Sequence, residues 1–162
     1  HAETHIKNIV SNFLPSVLNY LNVNFENTNQ IVAGASMGGL MSIKTSILFP
    51  QFRNIISLSP AFWFGYPRVL YDVKNLSNES STYLYTGKKE GHIFGDHVKN
   101  IFPNNWDLDF SNNDDFYYSG VKNIKDSFDS NNKKVIFSSE DSGRHDETSW
   151  ATAILEILGK LI

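Results

Sequence analysis

Apolar residues recur at spacings of three and four between residues 4 and 21: Ile6, Ile9, Val10, Phe13, Leu14, Val17, Leu18 and Leu21. That is the period of one helical face, and it predicts an amphipathic helix. Thr4 is placed to cap its start, and Pro15, inside the pattern, predicts a kink or two helices joined there. The polar run Asn24–Asn29 reads as a loop. Beyond it the pattern changes. Gln30–Gly34 is a short apolar strand feeding a glycine-rich turn, and Met37–Phe49 is a helix of small and apolar residues stopped by Pro50. Asn54–Leu58 is a second apolar strand, ending at Ser59-Pro60, and Ala61–Tyr66 is an aromatic loop. A short helix is expected over Pro67–Lys74, a polar connector over Asn75–Ser81 and a third strand over Thr82–Thr86. Gly91–Tyr118, rich in Asn, Asp and aromatics, reads as loop with a helical turn near Asp96–Phe102. Gly120–Ser130 predicts a helix, Lys134–Ser138 a fourth strand and Asp146–Leu161 a terminal amphipathic helix.

Strands that are nearly continuous apolar runs, alternating with helices, predict a mainly parallel sheet buried on both faces. The class is α/β, a three-layer α/β/α arrangement. No repeat or linker interrupts it, so residues 1–162 read as one domain.

Composition narrows the function more than the fold. A chain of 162 residues with 41% hydrophobic and 19% charged residues is neither disordered nor a coiled coil. A net charge of −3 gives no electrostatic footprint for nucleic acid or an anionic membrane, so neither is expected as a partner. No apolar stretch approaches the roughly 20 residues of a membrane helix. The absence of cysteine excludes disulfides, thiolate metal sites and a cysteine nucleophile. The opening His1-Ala2-Glu3-Thr4-His5 has neither the basic nor the apolar region of a secretory signal. That tilts the expectation towards the cytoplasm while leaving the compartment open.

The residues that carry chemistry begin with Gly34-Ala35-Ser36-Met37-Gly38-Gly39, a G-x-S-x-G pattern lying between a predicted strand and a predicted helix. A serine at such a corner is lifted above the sheet on a tight turn. Glycines at 34 and 38 are expected because side chains there would collide as strand and helix cross. The helix N-terminus aims backbone N–H groups at a developing oxyanion, the Met37 amide first. A serine hydroxyl needs a base. Of His1, His5, His92, His97 and His145, the last lies in a polar turn after the fourth strand, the address of a hydrolase base. The carboxylate that orients it is expected after the third strand: Glu90 first, then Asp96, then Asp141. Glu90, following Lys88-Lys89, also fits a solvated surface charge. Phe62, Trp63 and Phe64, after the second strand, are candidates for a substrate wall or for core. His92-x4-His97 matches no metal-ligand spacing and H-E-x-x-H is absent. The turn lacks the Lys-Ser/Thr of a P-loop and does not match G-x-G-x-x-G. Neither a metal nor another cofactor is expected.

Phe13-Leu14-Pro15, Gly34-Ala35-Ser36-Met37-Gly38-Gly39-Leu40, Phe49-Pro50-x-Phe52, Ser57-Leu58-Ser59-Pro60-Ala61-Phe62-Trp63, Thr86-Gly87-x-x-Glu90 and His145-x4-Trp150 together resemble an esterase family of the α/β-hydrolase superfamily. It includes esterase D and enterochelin esterase-like, feruloyl and acetyl esterase relatives. The resemblance implies a serine carboxylic-ester hydrolase acting on a small acyl, aryl or sugar ester, with Ser36 as nucleophile, His145 as base and Glu90 at the acid position. Acyl transfer to an alcohol, as in mycolyl transferase relatives, is the alternative chemistry. Relatives carry further strands before the opening helix, together with the loop that donates a second oxyanion N–H. The resemblance therefore implies that this chain holds the C-terminal half of the sheet. It also implies that a missing N-terminal segment or self-association covers the edge of strand 30–34; a catalytically inactive fragment, lacking the second oxyanion donor, is the remaining alternative.

Overall fold

The computed structural model describes residues 2–24 and 30–161. The opening helix runs as α1 (Ala2–Asn8), a π-helical turn (Ile9–Phe13) and α2 (Leu14–Leu21). The predicted break at Pro15 is resolved by that turn, whose wider hydrogen-bond ring accommodates the missing Pro15 N–H and its ring. Thr4 lies inside α1 and does not cap it. Of the predicted loop 24–29, only Asn24 is among the described residues.

Four strands follow: β1 (Ile31–Ala35), β2 (Asn54–Leu58), β3 (Ser81–Lys89) and β4 (Lys134–Arg144). They pair in parallel in the order β1-β2-β3-β4. Between them lie α3 (Met37–Leu48), the short α4 (Arg68–Asp72) and α5 (Asn113–Ser130), and α6 (Glu147–Leu161) follows β4. A sheet that advances one strand at a time with right-handed crossovers must carry its connecting helices on one face. Alternation along the strands agrees. Ile55 and Leu84 pack with Leu40, Ile43, Val69, Val121 and Ile124 of α3, α4 and α5. Ile56, Leu58, Tyr83 and Tyr85 point the other way, onto Ala153 and Ile157 of α6. That makes the three layers. One register row shows how far α6 reaches: Ala33, Ile56, Tyr83 and Ile136 are aligned across the sheet. Ile56 and Tyr83 in the middle are buried, whereas Ala33 on β1 is exposed and Ile136 on β4 is 39% exposed.

Three boundaries differ by three residues or more from those the sequence predicts, and all lie near the site. β3 and β4 run past Thr86 and Ser138 because they pair as far as Lys89↔Arg144, across an irregularity between Gly87 and Lys89. Asp141 and Ser142 look like part of a turn in sequence but lie on the exposed end of an edge strand. The long helix starts at Asn113 rather than Gly120, where the Asn112 side chain accepts the Asp115 N–H at 2.9 Å and Asp114 and Asp115 fill the first turn. The helical turn expected at Asp96–Phe102 is a single 3-10 turn, Val98–Asn100. The rest of that segment is held by its aromatics: Phe94 packs on Trp63, and Phe102 and Phe110 on Phe116, with ring centroids 5.0 Å apart in each pair.

Candidate active site

Ser36 sits between β1 and α3 with φ 55° and ψ −120°, a region that non-glycine residues rarely occupy. Such a conformation costs about 1–3 kcal/mol and persists only where the surroundings hold it. Here they do. The Ser36 N–H donates to the Leu58 carbonyl at 2.9 Å, and the Ser36 carbonyl accepts from Ala61 N–H at 2.9 Å and Leu40 N–H at 3.2 Å. The turn is tight enough that a Cβ on Gly34 would lie 2.4 Å from the Gly38 backbone, and one on Gly39 would lie 2.7 Å from the Leu58 carbonyl oxygen. A Cβ on Gly38 would meet nothing within 4 Å. The steric glycines are therefore 34 and 39, not 34 and 38. Met37 opens α3, so its N–H is one of the first-turn amides that α3 leaves without a helical acceptor.

His145 occupies the turn between β4 and α6. The Asp146 N–H donates to the Arg144 carbonyl at 2.9 Å, and the Arg144 N–H donates to Ser149 Oγ at 3.0 Å. This turn brings the imidazole to Ser36 across 109 residues of sequence, with Nε2 2.9 Å from the Ser36 Oγ. Nδ1 lies 2.9 Å from Glu90 Oε2. An ionised carboxylate only accepts, so Nδ1 carries the proton and Nε2 is left to accept from the serine hydroxyl.

Glu90 is fully buried despite the two lysines before it. Burial of a carboxylate is tolerable only where donors converge. Its Oε1 accepts from Ser59 Oγ at 2.6 Å, from Thr86 Oγ1 at 3.3 Å and from the Gly87 N–H. The other two candidate acids are elsewhere. Asp96 accepts from the His97 N–H and Asn100 Nδ2, and Asp141 is an exposed partner of Lys88 at 2.7 Å. His92 holds the Lys89 carbonyl and His97 the Lys99 N–H. Among the described residues no group of three or more His, Asp or Glu side chains converges as for a metal.

The three aromatics after β2 separate. Phe62 is fully buried, its ring only 2.1 Å from where a Gly120 Cβ would stand, so it is core and walls no cleft. Phe64 lines a cavity of about 230 Å³ between α1, α3 and α4, together with Leu40, Ile43 and Val69. Trp63 packs edge-on against Tyr117 at 5.3 Å, and Tyr117 lies 5.4 Å from His145. Ser59, Thr86, Tyr117 and Trp150 also belong to the candidate site, and sequence reasoning assigned them no role. Ser59, Thr86 and Trp150 stand in the segments that carry the family resemblance, but nothing in their spacing shows that they meet.

No family model matches the sequence, and no curated protein matches it. Solved structures do. A ferulic acid esterase superposes with a TM-score of 0.66 at 15% identity, over 94% of this chain and 57% of that one. The enterochelin esterase of Shigella flexneri gives 0.64 at 17% identity, over 91% of this chain and 34% of that one. The chain has an α/β-hydrolase fold. An enterobactin esterase from the same organism, solved in the presence of 2,3-dihydroxy-N-benzoyl-serine, gives 0.58 at 19% identity, over 93% of this chain and 36% of that one. The chain thus spans between 34% and 57% of the length of the esterases it matches. Its four parallel strands with helices on both faces are the part of the fold they share.

Proposed function

We propose that this α/β-hydrolase chain is a serine carboxylic-ester hydrolase acting on a small acyl, aryl or sugar ester. The observation that carries the reading is the line Ser36 Oγ–His145 Nε2–His145 Nδ1–Glu90 Oε2, with 2.9 Å at each contact between residues. The esterase neighbours support the same chemistry at the level of fold.

In this reading His145 takes the Ser36 proton as the hydroxyl oxygen attacks the ester carbonyl. The Met37 N–H faces the oxyanion that forms, at the positive end of α3. Collapse of the tetrahedral intermediate expels the alcohol, which leaves with the proton held on His145. Water, deprotonated by the same imidazole, then releases the acid and restores Ser36. Glu90 keeps Nδ1 protonated and supports the imidazolium. Of the three aromatics after β2, Trp63 is the one assigned to the substrate side, through its contact with Tyr117. The cover for the edge of β1 is assigned to a missing N-terminal segment, which would also bring a second oxyanion donor, or to self-association.

The test combines hydrolysis of p-nitrophenyl acetate with labelling by a fluorophosphonate probe. Both are expected in the wild type, and both are expected to vanish in Ser36→Ala. Unchanged hydrolysis in Ser36→Ala refutes the assignment. Labelled but non-hydrolysing protein that forms ester products with an added alcohol points instead to acyl transfer.

A further inference from the structure

Glu90 spends one carboxylate oxygen on His145, and the partners of the other reach back to α6. Ser59 follows β2 with φ 43°, a left-handed conformation held by its N–H on the Tyr85 carbonyl at 2.7 Å. Its carbonyl accepts the Tyr117 hydroxyl at 2.6 Å. Burial pushes the Tyr117 phenol well up, with the neighbouring Glu90 adding to the shift, so Tyr117 stays a donor. The Ser59 side chain is fully buried and has two partners: Glu90 Oε1 at 2.6 Å and the indole Nε1 of Trp150 at 2.9 Å.

The direction of these bonds is fixed by chemistry. An indole N–H can only donate and an ionised carboxylate can only accept. Ser59 Oγ must therefore accept from Trp150, which leaves its single hydrogen for Glu90. Trp150 stands in the first turn of α6, five residues beyond His145, and its ring lies edge-on to the imidazole at 4.9 Å and 84°. One side chain thus packs against the proposed base and, through one hydroxyl, orients the proposed acid.

We infer that Trp150 is a positioning residue for the hydrolytic reaction, acting through Ser59 to hold the Glu90 carboxylate with Oε2 on His145 Nδ1. This rests on the hydrolase reading above. In its absence the Ser59 hydroxyl is free to rotate towards other acceptors and Glu90 loses its shortest side-chain donor. The imidazole is then held less firmly towards Ser36.

The experiment uses Trp150→Phe, which keeps a ring against His145 and removes the N–H, along with Ser59→Ala and the double variant. Each single variant is expected to lower kcat for p-nitrophenyl acetate roughly 10- to 100-fold, the scale of one hydrogen bond to a charged group, with KM unchanged. The double variant is expected to be no worse than Ser59→Ala, because Trp150 acts through that hydroxyl. The proton resonance of His145 Nδ1–H, assigned by its loss in His145→Gln, is expected to shift upfield in both single variants. Multiplicative kcat losses in the double variant overturn the inference, as does a fall in melting temperature with kcat and the Nδ1–H resonance unmoved. The resonance is read without substrate. Failure of the hydrolase reading, seen as activity retained in Ser36→Ala, is therefore distinguishable from failure of the Trp150–Ser59 linkage.

Discussion

Gly87 on β3 and Gly143 on β4 meet backbone to backbone: a Cβ on Gly87 would lie 2.1 Å from the Gly143 carbonyl oxygen. The contact sits where the parallel register slips, just before both strands deliver Glu90 and His145. Gly87→Ala is expected to push the strand ends apart and to displace the Gly87 N–H from Glu90. Overpacking of this kind costs about 1–3 kcal/mol, and a displacement near 1 Å at a reacting group costs about 100-fold in rate. A lowered melting temperature with at least that loss of kcat, measured on the folded fraction, checks it.

The glycines of the serine turn make a sharper pair. Gly34→Ala places a methyl 2.4 Å from the Gly38 backbone, so the turn cannot close and fluorophosphonate labelling of Ser36 is expected to disappear. Gly38→Ala points into open space and gains helix propensity of about 0.5–1 kcal/mol. It is expected to label like the wild type and to melt no lower.

Phe62, a candidate wall in the sequence, behaves in the structure as the centre of the core on the α5 side, touching Trp63, Tyr66, Phe116 and Tyr117. Phe62→Ala is expected to lose about 3–5 kcal/mol of stability, the range for a buried aromatic truncated to alanine. Denaturant unfolding measures that loss. The KM of the folded fraction is expected to stay put, which a substrate-wall role would not allow.

Asp146 caps α6 one residue after His145: its Oδ1 accepts the Ser149 N–H at 2.9 Å, and that bond, opposed in part by desolvation, holds its carboxyl below the ordinary 3.8. A folded-state value below the unfolded one means stability that is present above the unfolded value and is lost as pH falls through the folded one. The gap in melting temperature between wild type and Asp146→Ala is therefore expected to be full near neutrality and to close below about pH 4. Asp146→Asn, which keeps an oxygen on the Ser149 N–H, is expected to show a smaller gap without that closure. Melting curves across pH 2–7 decide it.

What the sequence made legible follows from how locally each feature is specified. Ser36 is written into a few consecutive residues whose sterics allow only one turn, and His145 into its place between the last strand and the last helix. Glu90 is ambiguous because its neighbours Lys88 and Lys89 signal solvent. Its burial depends on β3 and β4 continuing together past Gly87 and Gly143, a pairing between residues far apart in the chain. The start of α5 had a local signal, Asn112 followed three residues later by Asp115, but it is submerged in a segment dense with Asn and Asp. The meeting of Ser59, Tyr117 and Trp150 has no linear signature, since each comes from a different element.

The proposed reacting groups stand at the ends of β1 and β4 and just past β3, the acid and the base 55 positions apart in sequence and the base and the serine 109. Nothing short of the whole sheet brings them within bonding distance. A chain caught before β4 docks, or clipped between β4 and α6, presents a lone hydroxyl and a lone imidazole, each inert in water. In the proposed reading reactivity therefore belongs to the assembled sheet alone, and half-made or damaged copies of the molecule are chemically silent.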